Sequence, residues 1–328
     1  MPRVNVNGKV IDAAAGETLM DAAFGGGVFI PQDCCSGQCE TCRVRVAFGS
    51  VDDKGTAYGD TVLACQATVR GDCTVTFEEV PPAANIKGEV SDIRSITPEI
   101  LEVAVALAEP LNFRPGQYAS VRFAGFPARD YSPTVRLSGE IGPSEIILHV
   151  KRLPGGVVSG EIGRKIGLGH AVRVRGPLGS AFLREPPSGR LLMTSTGTGW
   201  APIWSMAHAA CLASKRAEIC VIAGARDPDS LYMLPAMDWL KQMGVSEIIT
   251  TVREGVNGSA LPGTPDAYLP ELSRDDVVHV AGAPFLVDSV KARALASSTR
   301  CYADPFTASR NRLTLTDRLG GFVTRLAG

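Results

Sequence analysis

Several things are scarce in this chain, and each scarcity removes a class of function. Neither sign of charge is in excess: 33 Lys and Arg stand against 34 Asp and Glu, so there is no general field to attract nucleic acid or an acidic membrane. Histidine occurs only four times, at His149, His170, His208 and His279. None forms a C-x-H Rieske pair or the spacing of a His/carboxylate iron site, which argues against a self-contained oxygenase. Nine cysteines in 328 residues are too few for a disulfide scaffold, and the number is odd. The longest apolar stretches, such as Ile219–Ala225, are about one strand long, whereas a membrane helix needs ~20 such residues. The opening MPRVNVNGKV is polar and alternating and has no apolar signal core. No long-period repeat or low-complexity tract is present. With 45% hydrophobic and 20% charged residues the composition is globular, and at roughly 150 residues per domain the length suits two or three domains. These features predict a soluble, cytoplasmic, multi-domain protein without nucleic-acid or membrane partners.

What is present is unevenly distributed. Residues 1–85 hold six basic and eleven acidic side chains, a net of −5, and the remainder nets +4. The break falls at Pro81-Pro82-Ala83-Ala84-Asn85, which reads as a linker. Before it, Arg3–Val6 and Lys9–Ile11 flank Asn7-Gly8 as a hairpin. Leu19–Phe24 reads as a short helix stopped by Gly25, Gly26 and Gly27, and Arg43–Phe48 and Thr74–Phe77 read as strands. After the linker come apolar runs at Lys87–Ile93, Leu101–Leu107, Tyr118–Phe123, Ile146–Lys151 and Ala171–Arg175, the pattern of an antiparallel β-barrel. From about Arg190 strands alternate with helices: Leu191–Thr194 then Ile203–Ala213, Glu218–Ala223, Glu247–Val252, and Val277–Ala281 then Leu286–Leu295. That alternation predicts a parallel, doubly wound α/β sheet. The fold class is therefore small α+β, antiparallel barrel, then α/β.

Cys34, Cys39, Cys42 and Cys65 give C-x4-C-x2-C and a fourth cysteine 23 positions on, the plant-type [2Fe–2S] spacing. The intervening Ser36-Gly37-Gln38 lets backbone amides turn towards the sulfurs. A structural zinc site usually carries two C-x2-C knuckles, and this chain has one. Cys35, Cys73, Cys211, Cys220 and Cys301 fall outside the pattern and read as ordinary thiols.

The run from Asp33 to Cys42 with Leu63-Ala64-Cys65-Gln66 resembles the ferredoxin domain of bacterial ring-hydroxylating dioxygenase reductases, and the likeness extends through Phe306, nearest to the naphthalene and benzoate dioxygenase reductases. One departure is a Cys42–Cys65 interval several residues shorter than usual, which implies a trimmed loop over the cluster. The resemblance implies a β-grasp ferredoxin domain (residues 1–82), a FAD-binding β-barrel (86–187), an NAD(P)-binding α/β domain (188–306) and a C-terminal extension (307–328).

Within that frame Arg129-Asp130-Tyr131-Ser132, after Pro115-Gly116-Gln117-Tyr118, resembles the R-x-Y-S signature of the ferredoxin–NADP reductase superfamily. It implies a guanidinium on the flavin pyrophosphate, an aromatic ring against the isoalloxazine and a hydroxyl near flavin N5. His149-Val150-Lys151-Arg152 and Gly155, Gly156 and Ser159 resemble the second flavin segment, with glycine amides and a serine hydroxyl at a helix start holding phosphate. Thr196-Gly197-Thr198-Gly199 follows a strand and opens a helix, the setting for a dinucleotide pyrophosphate. Arg226 and Asp227 occupy the adenosine ribose position; Asp227 and Asp229 would repel a 2′-phosphate and favour NADH, while Arg226 argues weakly for NADPH. Ala281-Gly282-Ala283-Pro284 stands where the family has C-G-P, with alanine where many members have cysteine, which implies that the segment, Gly282 included, tunes nicotinamide placement. Asp304-Pro305-Phe306 matches the usual chain end, where Asp304 joins Ser132 as a catalytic residue and Phe306 either shields the flavin or is plain core.

The implied function is an NADH-dependent reductase carrying electrons through FAD and a [2Fe–2S] cluster to an oxygenase component or an intermediary ferredoxin. The alternative within the same fold is the reductase of a diiron monooxygenase. Beyond the family's usual end, Thr307–Gly328 carries four arginines against Asp317 alone. Leu319, Phe322, Val323 and Leu326 share one helical face there. That segment reads either as a tail packed on its own domain or left disordered, or as a basic helix docking on an acidic surface.

Overall fold

The computed structural model describes residues 1–306 apart from 141, 143, 216, 246, 256 and 257. The reading of Thr307–Gly328 lies outside the described residues. The first sheet begins with the expected hairpin, β1 (Arg3–Val6) and β2 (Lys9–Asp12), turning through Asn7 and Gly8 at φ 47° and 91°. Helix α1 (Leu19–Gly25) starts where the Thr18 hydroxyl oxygen accepts the Asp21 N–H at 3.0 Å, and it buries Leu19, Met20, Ala22 and Ala23. Strands β3 (Arg43–Asp52), β4 (Thr61–Leu63) and β5 (Thr68–Thr76) complete the order β2-β1-β5-β3-β4, with β1 and β5 parallel at the centre. Besides β3, which runs four residues past the expected Phe48, two differences from the sequence reading appear. The short β4 has too little alternation to announce itself. Strand β5 begins six residues before Thr74, because Val69, Cys73 and Val75 all point into the core across the Gly71-Asp72 interruption.

The second sheet comprises β6 (Ala84–Ser95), β7 (Ile100–Leu107), β8 (Tyr118–Phe123), β9 (Arg129–Tyr131), β10 (Glu145–Lys151) and β11 (Ala171–Leu178). It is antiparallel throughout, in the order β10-β7-β6-β11-β8-β9. An isolated Thr134–Ile147 bridge brings the chain after β9 to the far edge, so the sheet curls into a nearly closed barrel. Ala84 and Asn85 belong to β6, paired with Gly176 and Arg175, so the connecting segment ends earlier than the composition suggests.

The third unit runs β12 (Arg190–Thr196), α2 (Trp200–Leu212), β13 (Glu218–Ala225), α3 (Leu234–Gln242), β14 (Glu247–Val252), β15 (Leu261–Pro262), β16 (Val277–Gly282), α4 (Pro284–Ala296) and β17 (Arg300–Pro305). The sheet is parallel, in the order β15-β14-β13-β12-β16-β17. The winding reverses between β12 and β16, the place where doubly wound sheets bind ligands. Helix α3 and edge strand β17 were not anticipated; β17 is short, half-buried and ends in a proline, a weak strand signal. No helix among the described residues is long and apolar enough to cross a membrane.

Barrel and α/β unit share one apolar core, in which Ile100, Val135 and Leu137 of the barrel meet Trp200, Ile203, Trp204 and Tyr232. Trp204 stacks on Trp200 at 6.1 Å and donates its indole N–H to the Arg136 carbonyl at 3.0 Å. The Arg136 guanidinium holds Glu102 at 2.9 Å and Glu145 at 3.2 Å, and the Glu102 side chain is only 6% exposed. Removing one partner of a buried pair leaves the other charge uncompensated, at a cost of about 3–5 kcal/mol. Arg136→Met is therefore expected to destabilise the barrel–α/β unit by that amount in urea denaturation followed by tryptophan fluorescence. A loss below about 1 kcal/mol, the scale of a surface pair, would show that Glu102 is not desolvated.

Candidate functional site

The cysteine loop lies between α1 and β3. Cys35, Gly37 and Glu40 adopt positive φ (51°, 77° and 55°), which turns successive N–H groups inward. The amides of Ser36, Gln38 and Cys39 each donate to Cys34 Sγ at 3.4 Å, and that of Cys34 donates to Cys39 Sγ at 3.5 Å. The thiols neighbour one another in two pairs, Cys34 with Cys39 and Cys42 with Cys65. The Cys39 thiol and these amides pull the Cys34 thiol down to about 4, despite partial burial. Burial pushes Cys42 up to about 12. Among the described residues no three His, Cys, Asp or Glu side chains are grouped to hold a metal ion. A two-iron core takes two thiolates on each iron, a count that two cysteine pairs supply, whereas a tetrahedral zinc needs four donors around one point. Cys35 is exposed, with Sγ 3.4 Å from Gln32 Oε1, and Cys73 is buried in the first sheet's core.

On the barrel side, Arg129 and Tyr131 lie on β9, with Tyr131 opposite Ala119 of β8. Arg129 Nη1 donates to the Ala128 carbonyl at 2.8 Å. The buried Ser132 hydroxyl donates to Asp304 Oδ2 at 3.5 Å, spanning from the barrel to β17. Burial drives the Asp304 carboxyl up to about 7, partly opposed by that hydrogen bond. Thr134 Oγ1, two residues past Ser132, is buried without a hydrogen-bond partner, a polar vacancy that a heteroaromatic ring edge would satisfy.

The second flavin segment departs from its expected form. Val150 enters the barrel core and Lys151 is exposed, 3.4 Å from Glu99. The His149 ring turns the other way, packing edge-on against Tyr232 with Nδ1 3.2 Å from its hydroxyl. Burial pushes this imidazole down to about 3, so it is neutral. Residues 154–161 form turns and not a helix start, because Ser159 Oγ accepts the Leu153 N–H at 3.2 Å and closes the loop. Gly155 is exposed and Gly156 half-exposed within those turns.

The nucleotide motif sits at the carboxyl ends of β12 and β16. Thr196 ends β12, Gly197-Thr198-Gly199 make one tight turn, and α2 begins at Trp200. A Cβ on Gly199 would lie 2.4 Å from the Ala281 carbonyl oxygen, and one on Gly282 (φ +118°) 2.6 Å from that of Thr196. Thr196 Oγ1 accepts the Ala283 N–H at 3.0 Å, and the Phe306 N–H donates to the Gly282 carbonyl at 2.7 Å. Half-buried Phe306 thus lies beside the strand-end crevice, and Asp304 pairs in register with Ala281. The structure brings Ser132, Asp304, Gly199, Gly282 and Phe306 to one place. Asp227 sits at the end of β13 with Oδ1 accepting from the Ser230 N–H and hydroxyl at 2.9 and 2.7 Å, while Oδ2 takes Arg226 Nε at 2.8 Å. Its charge is partly offset by that guanidinium. The Tyr232 partner of His149 was missed, and nothing in its local sequence signals the contact.

Residues 3–70 match the 2Fe-2S iron-sulfur cluster binding domain, and residues 87–182 match the oxidoreductase FAD-binding domain. The chain is 31% identical to the naphthalene 1,2-dioxygenase system ferredoxin–NAD(P)+ reductase component of Pseudomonas putida, over 92% of this chain and 97% of that protein. It is 33% identical to the reductase component of the naphthalene 1,2-dioxygenase/salicylate 5-hydroxylase systems of a Ralstonia species, over 83% and 85%. The Amycolatopsis cytochrome P450 reductase GcoB superposes with a TM-score of 0.68 at 27% identity, over 94% of this chain and 99% of that one. Fold and site define an NAD(P)H-dependent flavin and iron–sulfur oxidoreductase of the ferredoxin reductase type. The chain belongs to the family of ferredoxin–NAD(P)+ reductase components of aromatic-ring dioxygenase systems.

Replacing any of Cys34, Cys39, Cys42 or Cys65 with Ser is expected to abolish the iron–sulfur visible absorption, and Cys35→Ser and Cys73→Ser to preserve it. Loss in Cys35→Ser would overturn the ligand assignment. Asp304 yields a pH prediction. Its folded pKa of about 7 exceeds the unfolded ~3.9, so ionising the unfolded carboxyl costs stability as pH rises from about 4 to about 7. Asp304→Asn should denature close to wild type near pH 4 and be increasingly the more stable of the two up to about pH 8. A gap that does not grow with pH would refute the burial argument.

Proposed function

We propose that the chain takes hydride from NADH, passes the electrons through FAD to a [2Fe–2S] cluster, and delivers them in the cytoplasm to the oxygenase component, or intermediary ferredoxin, of an aromatic-ring-hydroxylating system. Residues 1–82 would carry the cluster, 86–187 the flavin, and 188–306 the dinucleotide. When bound, FAD supplies the conversion of an electron pair into single electrons.

The chain's own residues position and screen. Arg129 would pair with the flavin pyrophosphate, Tyr131 would lie against the ring, and the turns at Gly155, Gly156 and Ser159 would present amides to phosphate. Val150 and Lys151 contribute backbone and charge at the barrel edge. Thr196, Gly197, Thr198 and Gly199 present N–H groups at the start of α2 to the dinucleotide pyrophosphate, with Arg226 and Asp227 at the ribose end. Ser132 and Asp304 hold a proton between barrel and sheet, near Gly282 and Phe306, which screen the transfer site from water. The single observation that carries this reading is the meeting of Ser132–Asp304 with the Gly199/Gly282 crevice.

The test is an anaerobic titration of the purified protein with NADH, watching flavin and cluster absorption together. Sequential bleaching of both is expected, with a higher kcat/KM for NADH than for NADPH. Asp227→Asn should narrow that ratio, since asparagine can keep the turn cap and removes the charge. A protein that bleaches neither chromophore, or one that prefers NADPH, would contradict the reading.

A further inference from the structure

The buried apolar cluster of the first sheet is built from residues 4–77 alone, while the barrel and α/β unit share theirs. Hydrogen bonds, among them Tyr58 Oη to the Lys291 carbonyl at 3.0 Å, and ion pairs of a single polarity attach the first unit to the rest. Asp33, directly before Cys34, takes the Arg175 guanidinium of β11 as an ion pair and the Tyr118 hydroxyl at 2.9 Å. The same hydroxyl lies 3.1 Å from Thr41 Oγ1, directly before Cys42. Glu40, directly after Cys39, takes Lys291 of α4 at 3.0 Å on one oxygen and its own Arg43 at 2.8 Å on the other. Behind the loop Glu78 pairs with Arg114 and Arg184 of the barrel side. In each inter-unit pair the carboxylate belongs to the acidic N-terminal part and the cation to the basic remainder. The charge split read from composition therefore meets across this junction.

Tyr118 opens β8, and its neighbour Ala119 pairs with Tyr131 on β9. One peptide unit thus separates the residue gripping the cysteine loop from the strand pair bearing the flavin motif. We infer that Tyr118, with the Asp33–Arg175 and Glu40–Lys291 pairs, positions the cysteine loop for electron transfer from the flavin, and that this dock is electrostatic and loosens with salt. Asp33 is 5% exposed beneath a 41% exposed Arg175, while Glu78 and Arg114 at the rim are 44% and 39% exposed, so salt reaches this junction through its rim pairs as it does not reach an apolar core. The inference rests on the proposed electron route, and one of its readouts does not.

The test compares full-length holoprotein with a Tyr118→Phe/Lys291→Gln double variant; Tyr118→Phe removes only a hydroxyl. After rapid mixing with NADH, flavin bleaching should proceed as in wild type, and cluster bleaching should slow by about tenfold through lost orientation. A redox titration of the cluster separates lost orientation from a changed driving force, and slowing that a shifted potential accounts for would overturn the positioning role. The second readout is cleavage after Glu78 or Glu79 by a glutamate-specific protease. It should accelerate in the double variant, and in wild type when salt rises from about 0.05 M to about 0.5 M. Lys54→Gln, the same charge change on an exposed pair within the first unit, should behave as wild type in both. Unaltered cluster bleaching in the double variant, equal slowing of both phases, or cleavage insensitive to salt and to substitution would overturn the inference. A protein carrying neither chromophore would overturn the proposed function instead, and the cleavage readout would still decide the dock.

Discussion

The arrangement at the candidate site depends on how closely the Gly199 turn approaches the Ala281–Gly282 peptide. No side chain fits on either glycine. That contact presses the start of α2 against the end of β16, and the Thr196–Ala283 hydrogen bond locks the two strand ends together. With β16 held there, β17 in parallel register carries Asp304 to Ser132, and the Phe306 N–H closes on Gly282. A side chain at Gly199 would part the strand ends and carry the acid away from the hydroxyl. One steric constraint in the backbone therefore sets the spacing between two different modules.

The modules are joined by two different kinds of force. Barrel and α/β unit share an apolar core with stacked tryptophans and a buried Arg136 network, an attachment that salt does not weaken. The cysteine-bearing unit keeps its core to itself and is held by ion pairs and hydroxyl contacts. Such a division suits an electron carrier. Hydride transfer needs atoms held within contact distance, which a fused core provides, whereas the terminal carrier must hold a defined position and still meet an outside partner.

Much of this was readable in advance where the signal was local. The hairpin at Asn7-Gly8, the barrel strand Tyr118–Phe123 and the sheet strand Glu247–Val252 follow from alternation and turn chemistry alone. The cysteine spacing singled out four thiols that the structure sets in two pairs, Cys34 beside Cys39 and Cys42 beside Cys65, and left out exposed Cys35 and buried Cys73. The failures share a cause. Half-buried β17 has no clean period, and Ser159 caps a turn by bonding back to Leu153 where a helix was expected. The direction of the His149 ring depends on Tyr232, 83 residues away.

The sequence by itself determined the chemistry available: four thiolates at iron–sulfur spacing, glycines at strand ends, and an acidic N-terminal part before a basic remainder. These are properties of residue type and short-range geometry, and they survive in any arrangement that keeps the local turns. Only the tertiary structure decided which groups meet: Ser132 with Asp304, Tyr118 with Asp33, and Glu40 with Lys291. Those pairs join residues 172, 85 and 251 positions apart. No local preference encodes such contacts, because each exists only after separate cores have formed and packed.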